Sequence, residues 1–240
     1  MSKLLYRGKT KDVFAEESPG PFERVRFVFT DRVTLNDQGV VDPGGNNVAE
    51  ATVKGQAEAC LKMTSAIFRE LSEKGFATHM VSYDLAGLSM VVKKANLFSP
   101  GLEWVGRWVA TGSFVRRYSS IPSCRDGFRL PSPVWEITLK DDSAGDPLIA
   151  PSAITALGLM DPATLENLLA ANDRVMRALR EMFSARGLDL WDIKIEWGLD
   201  GNGQPLLIDE VSPGCCRAFK EGAGERVTGL ELAEYFIRSQ

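Results

Sequence analysis

The stretch Trp191-Asp192-Ile193-Lys194-Ile195-Glu196-Trp197 alternates apolar and charged side chains without a break. Such period-two patterning describes a β-strand with one face built for a core and the other wholly charged. Downstream, Asn202-Gly203 is a two-residue hairpin signal, and Pro205 to Val211 reads as the returning strand. With Asn202 and Gly203 as the turn, Gly201 pairs with Gln204, and counting back sets Glu196 directly opposite Asp209. Facing carboxylates with Cβ atoms about 5 Å apart destabilise a sheet unless something offsets their charge. A divalent cation would do so, and Mg2+ suits a two-carboxylate site because it completes its shell with water and substrate phosphates. An exposed charged face neutralised by Lys194 is the other reading, and a one-residue change of register would separate the pair.

Outward from this hairpin, the chain of 240 residues has room for one sizeable core or two modest lobes. Leu4 to Tyr6, Asp12 to Ala15 and Val25 to Thr30 read as strands, the first two joined by the basic turn Arg7-Gly8-Lys9-Thr10-Lys11. From Glu50 to Lys74, Val53, Ala57, Cys60, Leu61, Thr64, Ile67, Phe68 and Leu71 recur at helical spacing before Gly75. Met80 to Tyr83, Leu88 to Lys93, Trp104 to Thr111 and Val134 to Leu139 are further strands, and Lys140 to Pro147 is a polar loop. A second helix follows Asp161 and Pro162, with Leu165, Leu168, Leu169, Val175, Met176, Leu179 and Phe183 on one face. Helices mixed with hairpins predict an α+β fold, with a hinge at Asn96 to Gly101 dividing residues 1–98 from 99–240.

Composition narrows the function. Hydrophobic residues are 44% and charged residues 25%, the balance of a globular protein, and no apolar run reaches the roughly 20 residues that span a bilayer. Neither a membrane partner nor an N-terminal signal segment is expected, so the expected location is cytoplasmic. A formal net charge of −4 argues against nucleic acid as a partner while allowing local cationic pockets for small anions. The cysteines Cys60, Cys124, Cys215 and Cys216 lack zinc-ligand spacing, and the lone histidine, His79, precedes a strand-like run and reads as structural.

Two basic clusters are candidate phosphate binders. Gly8-Lys9-Thr10 lacks the upstream glycine of a P-loop, position 3 being Lys, so the turn is either a cationic flap over nucleotide phosphates or an exposed basic turn. In Arg107-Trp-Val-Ala-Thr-Gly-Ser-Phe-Val-Arg-Arg117, backbone N–H groups near Gly112, the Ser113 hydroxyl and an arginine fork suit a phosphate monoester; a surface turn is the alternative.

Together, LYRGKTKDVF (Leu5 to Phe14), RWVATGSFVRR (Arg107 to Arg117), DIKIEWG (Asp192 to Gly198) and DEVSP (Asp209 to Pro213), with a weaker match in VVKKANLFSP (Val91 to Pro100), resemble the SAICAR synthetase family. The resemblance implies a two-lobed α+β fold related to ATP-grasp and kinase-like nucleotide clamps, with an ATP-clamping lobe followed by a substrate and metal lobe. It implies that Gly8, Lys9 and Lys11 cover ATP phosphates, that the Lys93 to Leu97 segment lines an adenine pocket, and that Lys140 faces the nucleotide. Glu196 and Asp209 match Mg2+ ligands. Arg107, Ser113 and Arg217 match positions that hold a ribose phosphate, a further arginine aligns at Arg226, and Asp192 and Lys194 would face the nucleotide substrate.

The implied reaction is ATP-dependent amide formation between a carboxylated aminoimidazole ribonucleotide and L-aspartate through an acyl phosphate. The partners are then a small-molecule ribonucleotide and an amino acid, and homo-oligomer formation stays open. Departures from the family pattern fall at Gly44-Gly45, Trp108, Gly145 and Gly214, where the pattern carries Lys-Gly, Asn, His and Asp. They motivate a second reading, a diverged paralog with another acid or amine in a purine-like nucleoside antibiotic pathway of the coformycin type. A small-molecule kinase and a catalytically silent nucleotide-binding protein are the readings from other classes.

Overall fold

The computed structural model describes residues 3–18, 22–35 and 47–237; the Gly44-Gly45 departure lies outside them. Strands β1 (Leu4–Arg7), β2 (Lys11–Glu16) and β3 (Arg24–Phe29) begin an antiparallel sheet. The pair β4 (Arg32–Leu35) and β5 (Asn47–Thr52) and helix α1 (Gln56–Glu73) precede β6 (Met80–Asp84) and β7 (Ser89–Lys93), which complete that sheet in the order β1-β2-β3-β7-β6.

The second sheet takes β8 (Leu102–Val109), β9 (Arg129–Leu139), β10 (Leu188–Leu199), β11 (Pro205–Ile208), β12 (Cys216–Lys220) and β13 (Arg226–Val227). Their order is β13-β12-β10-β8-β9, with β11 also paired to β10. Helices α2 (Gly112–Arg117), α3 (Pro151–Ala156), α4 (Pro162–Ser184) and α5 (Gly229–Ile237) accompany it. The sheets divide near the expected hinge, yet one buried cluster unites Phe27 and Met90 with Phe68, Phe183, Ile195 and Phe236. This is the α+β architecture expected, and no described helix is long and apolar enough to cross a membrane.

Strand β10 is central because its alternation serves two environments. Ile193, Ile195 and Trp197 are buried in the core, and Trp197 Nε1 donates to Asn172 Oδ1 on α4 at 3.2 Å. Trp191 does not join that row. A register shift against β12 between Leu190 and Asp192 transfers the core side to Leu188 and Leu190, and Trp191 stacks on Phe219 at 3.7 Å instead. Asp161 caps α4 as expected, accepting from the Thr164 N–H at 3.0 Å, although Leu169 is 37% exposed and off the buried face.

Helix α1 starts later than its periodicity suggests. Glu50 to Thr52 belong to β5, and the first turn is anchored from a distance by Asp31, whose Oδ1 accepts from the Ala57 N–H at 2.9 Å. Similarly, β8 ends at Val109 rather than Thr111, and Gly112 to Arg117 form a short helix.

Candidate active site

The hairpin register differs by one residue from the expectation. Asp200 Oδ1 accepts from the N–H groups of both Asn202 and Gln204, at 2.8 and 2.9 Å, and its own N–H donates to Gln204 O. The loop is therefore longer than Asn202-Gly203, Leu199 pairs with Pro205, and Glu196 lies opposite Ile208 rather than Asp209. A side-chain cap set this register, which the dipeptide signal alone did not reveal. Asp209 nevertheless joins Glu196 in one cavity, because the strand has ended and Asp209 takes a left-handed conformation, φ 65°. That conformation costs a non-glycine residue on the order of 1 kcal/mol. It is held by His79, whose buried Nε2 donates to the Asp209 carbonyl at 3.0 Å. Burial lowers the His79 pKa to about 4, which keeps the ring neutral in this structural role.

The charged face of β10 is not a solvated face. Asp192 is 3% and Glu196 9% exposed, and together with β8 and β9 they form a lattice of alternating charge. Asp192 stands beside Arg107, Lys194 beside Val105 and then Glu136, and Glu196 beside Glu103 and then Thr138. The adjacent pair of glutamates is offset by lysines: Lys194 Nζ reaches Glu103 at 2.5 Å and Glu196 at 3.7 Å, and Lys140 Nζ reaches Glu196 at 2.7 Å. Burial opposes the charge on Lys194, but Glu103 and Glu196 more than offset it and hold the ammonium well above its ordinary range.

Glu103, Lys140, Lys194, Glu196 and Asp209 line a cavity of about 740 Å³, the size of a nucleotide site. The turn Gly8 to Lys11 also lines it. The Gly8 N–H donates to Lys11 O at 2.9 Å, and a Cβ at Gly8 would stand 2.7 Å from that oxygen, so the turn closes only with glycine. Lys11 Nζ bonds Asp209 at 2.9 Å and Glu210 at 2.7 Å. Burial again disfavours the ammonium, and the two carboxylates override it to keep Lys11 charged. In return, although burial would raise the Asp209 carboxyl, Lys11, Lys140 and Lys194 hold it well below the usual carboxylate range. Lys9 Nζ reaches Asp142 at 2.6 Å, so the polar loop after Lys140 contributes to the site.

A smaller pocket of about 130 Å³ adjoins this cavity and shares Glu103, Asp146, Lys194 and Cys215 with it. Arg107 is 3% exposed and heavily engaged: Nε donates to Glu136 at 2.5 Å, Nη1 to Asp192 at 3.0 Å and Nη2 to Ser113 Oγ at 3.0 Å. Arg217 Nη1 reaches the same Asp192 oxygen at 2.6 Å. Its guanidinium crosses Gly112, where φ is 54° and a Cβ would meet Nη2 at 2.9 Å. Asp192 Oδ1 is buried without a hydrogen-bond partner among the described residues.

Thus Gly8, Lys9, Lys11, Lys140, Glu196, Asp209, Lys194 and Arg226 line the large cavity, while Arg107, Ser113, Asp192, Lys194 and Arg217 line the small one. Lys93 and Leu97 line neither, and Leu97 is 69% exposed. Sequence reasoning missed Glu103, Glu136, Asp142 and Glu210. Only Glu210, adjacent to Asp209 and bonded by both Thr10 Oγ1 (2.8 Å) and Lys11, carried a local signal.

Of the departures, Gly145 and Gly214 line these spaces, whereas Trp108 packs edge-on against Trp135, with ring centroids 5.4 Å apart, on the opposite side of β8 from Arg107. Cys215 and Cys216 line the large cavity; burial, with help from Glu210, pushes the Cys215 thiol up to about 11.

Residues 4–232 match the SAICAR synthetase family. A phosphoribosylaminoimidazole-succinocarboxamide synthase of Clostridium tetani is 36% identical over 235 residues, 98% of this chain and 99% of that protein. Its Thermotoga petrophila counterpart is 33% identical over 91% of this chain and 86% of its own length. Among solved structures, the enzyme of that name from Ehrlichia chaffeensis superposes with a TM-score of 0.81 at 25% identity, covering 99% of this chain and 96% of that one. A type-2 SAICAR synthetase in complex with ADP gives a TM-score of 0.79 at 26% identity, covering 98% of this chain and 94% of that one.

Proposed function

The chain belongs to the SAICAR synthetase family of ATP-dependent carbon–nitrogen ligases, and from that premise we propose that it joins the carboxylate of a carboxylated aminoimidazole ribonucleotide to the amine of L-aspartate. The observation that carries this reading is the buried charged face of β10, with Glu196, Asp209 and their lysines facing one nucleotide-sized cavity. A relative solved with ADP supports nucleotide use, and the larger cavity has the volume for it. In this reading residues 1–98 clamp ATP and 99–240 supply the substrate and metal groups.

The donor set fits Mg2+. Two carboxylates, Glu196 and Asp209, line one space, and each is already paired with an ammonium, which marks the site as one that needs positive charge. Bound there, Mg2+ would neutralise phosphate charge in the transition state. Lys11 and Lys140 lie within a bond of those carboxylates and can turn to phosphate oxygens, with Gly8 and Lys9 covering them from the turn. Ser113 and Arg217, set in place by Arg107, hold the ribonucleotide's phosphate side in the small pocket, whereas Arg226, expected with them, lines the large cavity. Asp192 and Lys194 face the imidazole nucleotide, and the unpartnered Asp192 Oδ1 is an acceptor for a substrate hydroxyl or amine.

The ribonucleotide carboxylate attacks the γ-phosphorus, the bond to ADP breaks, and an acyl phosphate forms. The aspartate amine then attacks the acyl carbon, inorganic phosphate leaves with one former carboxylate oxygen, and the amine proton is lost. No histidine or nucleophilic side chain is required. Turnover of an 18O-carboxylate substrate tests this: one label should appear in inorganic phosphate and succinocarboxamide should accumulate, whereas unlabelled phosphate would remove the acyl phosphate.

Gly145 and Gly214 support a second reading. A Cβ at Gly145 would meet nothing within 4 Å, and one at Gly214 would meet only Ser212 Oγ at 3.6 Å, so both spots have room that larger residues would take up. A diverged paralog would use that room for another acid or amine. Efficient succinocarboxamide formation from aspartate would exclude it.

A further inference from the structure

We propose that Arg117, aimed by Glu136, is a ligand-reaching cation of the small pocket, and that buried Arg107 acts mainly as the keystone beneath it. This deepens the reading above by naming another residue that meets the ribonucleotide's phosphate. Every nitrogen of Arg107 is already engaged: Nε with Glu136, Nη1 with Asp192 and, at 3.5 Å, the Thr111 carbonyl, and Nη2 with Ser113. A guanidinium has five N–H donors in a fixed fork, so Arg107 has little left to offer a ligand.

Arg117 differs. Its Nη2 alone contacts Glu136, at 2.6 Å to each carboxylate oxygen, while Nε and Nη1 have no partner among the described residues. Its side chain is 28% exposed and lines the pocket. Glu136 is 7% exposed and accepts from both arginines, so one carboxylate fixes their relative position. The result is a pocket-facing edge of Arg117 with unused donors, matched to a phosphate.

The sign of one substitution separates positioning from charge balance. A carboxylate beside an anion site repels the anion, so if Glu136 only balanced charge, Glu136→Gln would tighten phosphate binding. If it aims Arg117 and Arg107, Glu136→Gln weakens it. Titration calorimetry of the carboxylated aminoimidazole ribonucleotide, its dephosphorylated nucleoside and ribose 5-phosphate reads the difference. The expected result is that Arg117→Gln and Glu136→Gln each reduce the nucleotide-to-nucleoside affinity ratio at least tenfold, with nucleoside affinity nearly unchanged. An unchanged ratio in Arg117→Gln, or a larger ratio in Glu136→Gln, overturns the inference and leaves the substrate reading intact. Arg117-dependent binding of ribose 5-phosphate without binding of the ribonucleotide sustains the inference and overturns that reading. Failure of wild-type protein to bind either phosphate compound overturns the inference.

Discussion

The two adjoining cavities solve the same problem, buried carboxylates facing an anionic ligand, with different cations. In the large cavity Glu196, Asp209 and Glu210 are balanced by Lys140 and Lys11, compact charges on flexible stems. In the small pocket Asp192 and Glu136 are balanced by Arg107, Arg117 and Arg217, planar forks that lock direction. An ammonium can exchange a carboxylate for a phosphate oxygen without rebuilding its surroundings; a guanidinium held by three partners cannot. The lysine side suits a nucleotide whose phosphates change during the reaction, and the arginine side suits a phosphate that only has to be held.

Removing a carboxylate from the lysine side should separate the two most sharply. Glu196→Ala and Asp209→Ala are expected to lower turnover roughly 10³-fold, with thermal unfolding and ribonucleotide affinity little changed; calorimetry and steady-state rates check this. The thiols at the boundary give the next largest effect. With its pKa pushed to about 11, Cys215 should alkylate with iodoacetamide at pH 8 about 100-fold more slowly than an ordinary thiol, its rate rising with pH until near 11. Mass spectrometry of the labelled peptide reads the rate.

Glycine substitutions probe each side in turn. Gly112→Ala adds a strained φ of 54° and a contact with Arg217, and should destabilise the fold by about 1–2 kcal/mol while raising KM for the ribonucleotide. Gly8→Ala should instead raise KM for ATP several-fold with little change in Tm, since it displaces only the turn. The smallest effect on stability, read as Tm, is expected at Lys9→Ala, whose partly exposed pair with Asp142 contributes less than about 1 kcal/mol, while KM for ATP rises as the turn loses a phosphate-facing cation.

The contrast also marks what the sequence made legible. The period of β10 announced a charged face and a core face, and the matched segments supplied Glu196, Asp209, Lys11 and Arg107. The register was hidden because an aspartate side chain lengthened the turn and because Asp209 regains the cavity through a positive φ. Trp191 left its row through a bulge that depends on the partner strand, and α1 begins where Asp31 anchors Ala57. Glu103 and Glu136 were missed for the same reason: their significance comes from cross-strand neighbours on β8, β9 and β10, which no local pattern encodes.

The division of labour is tested most directly by titrating ADP, with and without Mg2+, and the ribonucleotide into wild-type protein and Glu196→Ala. The account predicts that Mg2+ strengthens ADP binding in the wild type, that Glu196→Ala loses this enhancement, and that ribonucleotide affinity stays within about twofold, a change under RT ln 2 or roughly 0.4 kcal/mol. Loss of both affinities together, or retention of the Mg2+ enhancement, would contradict it.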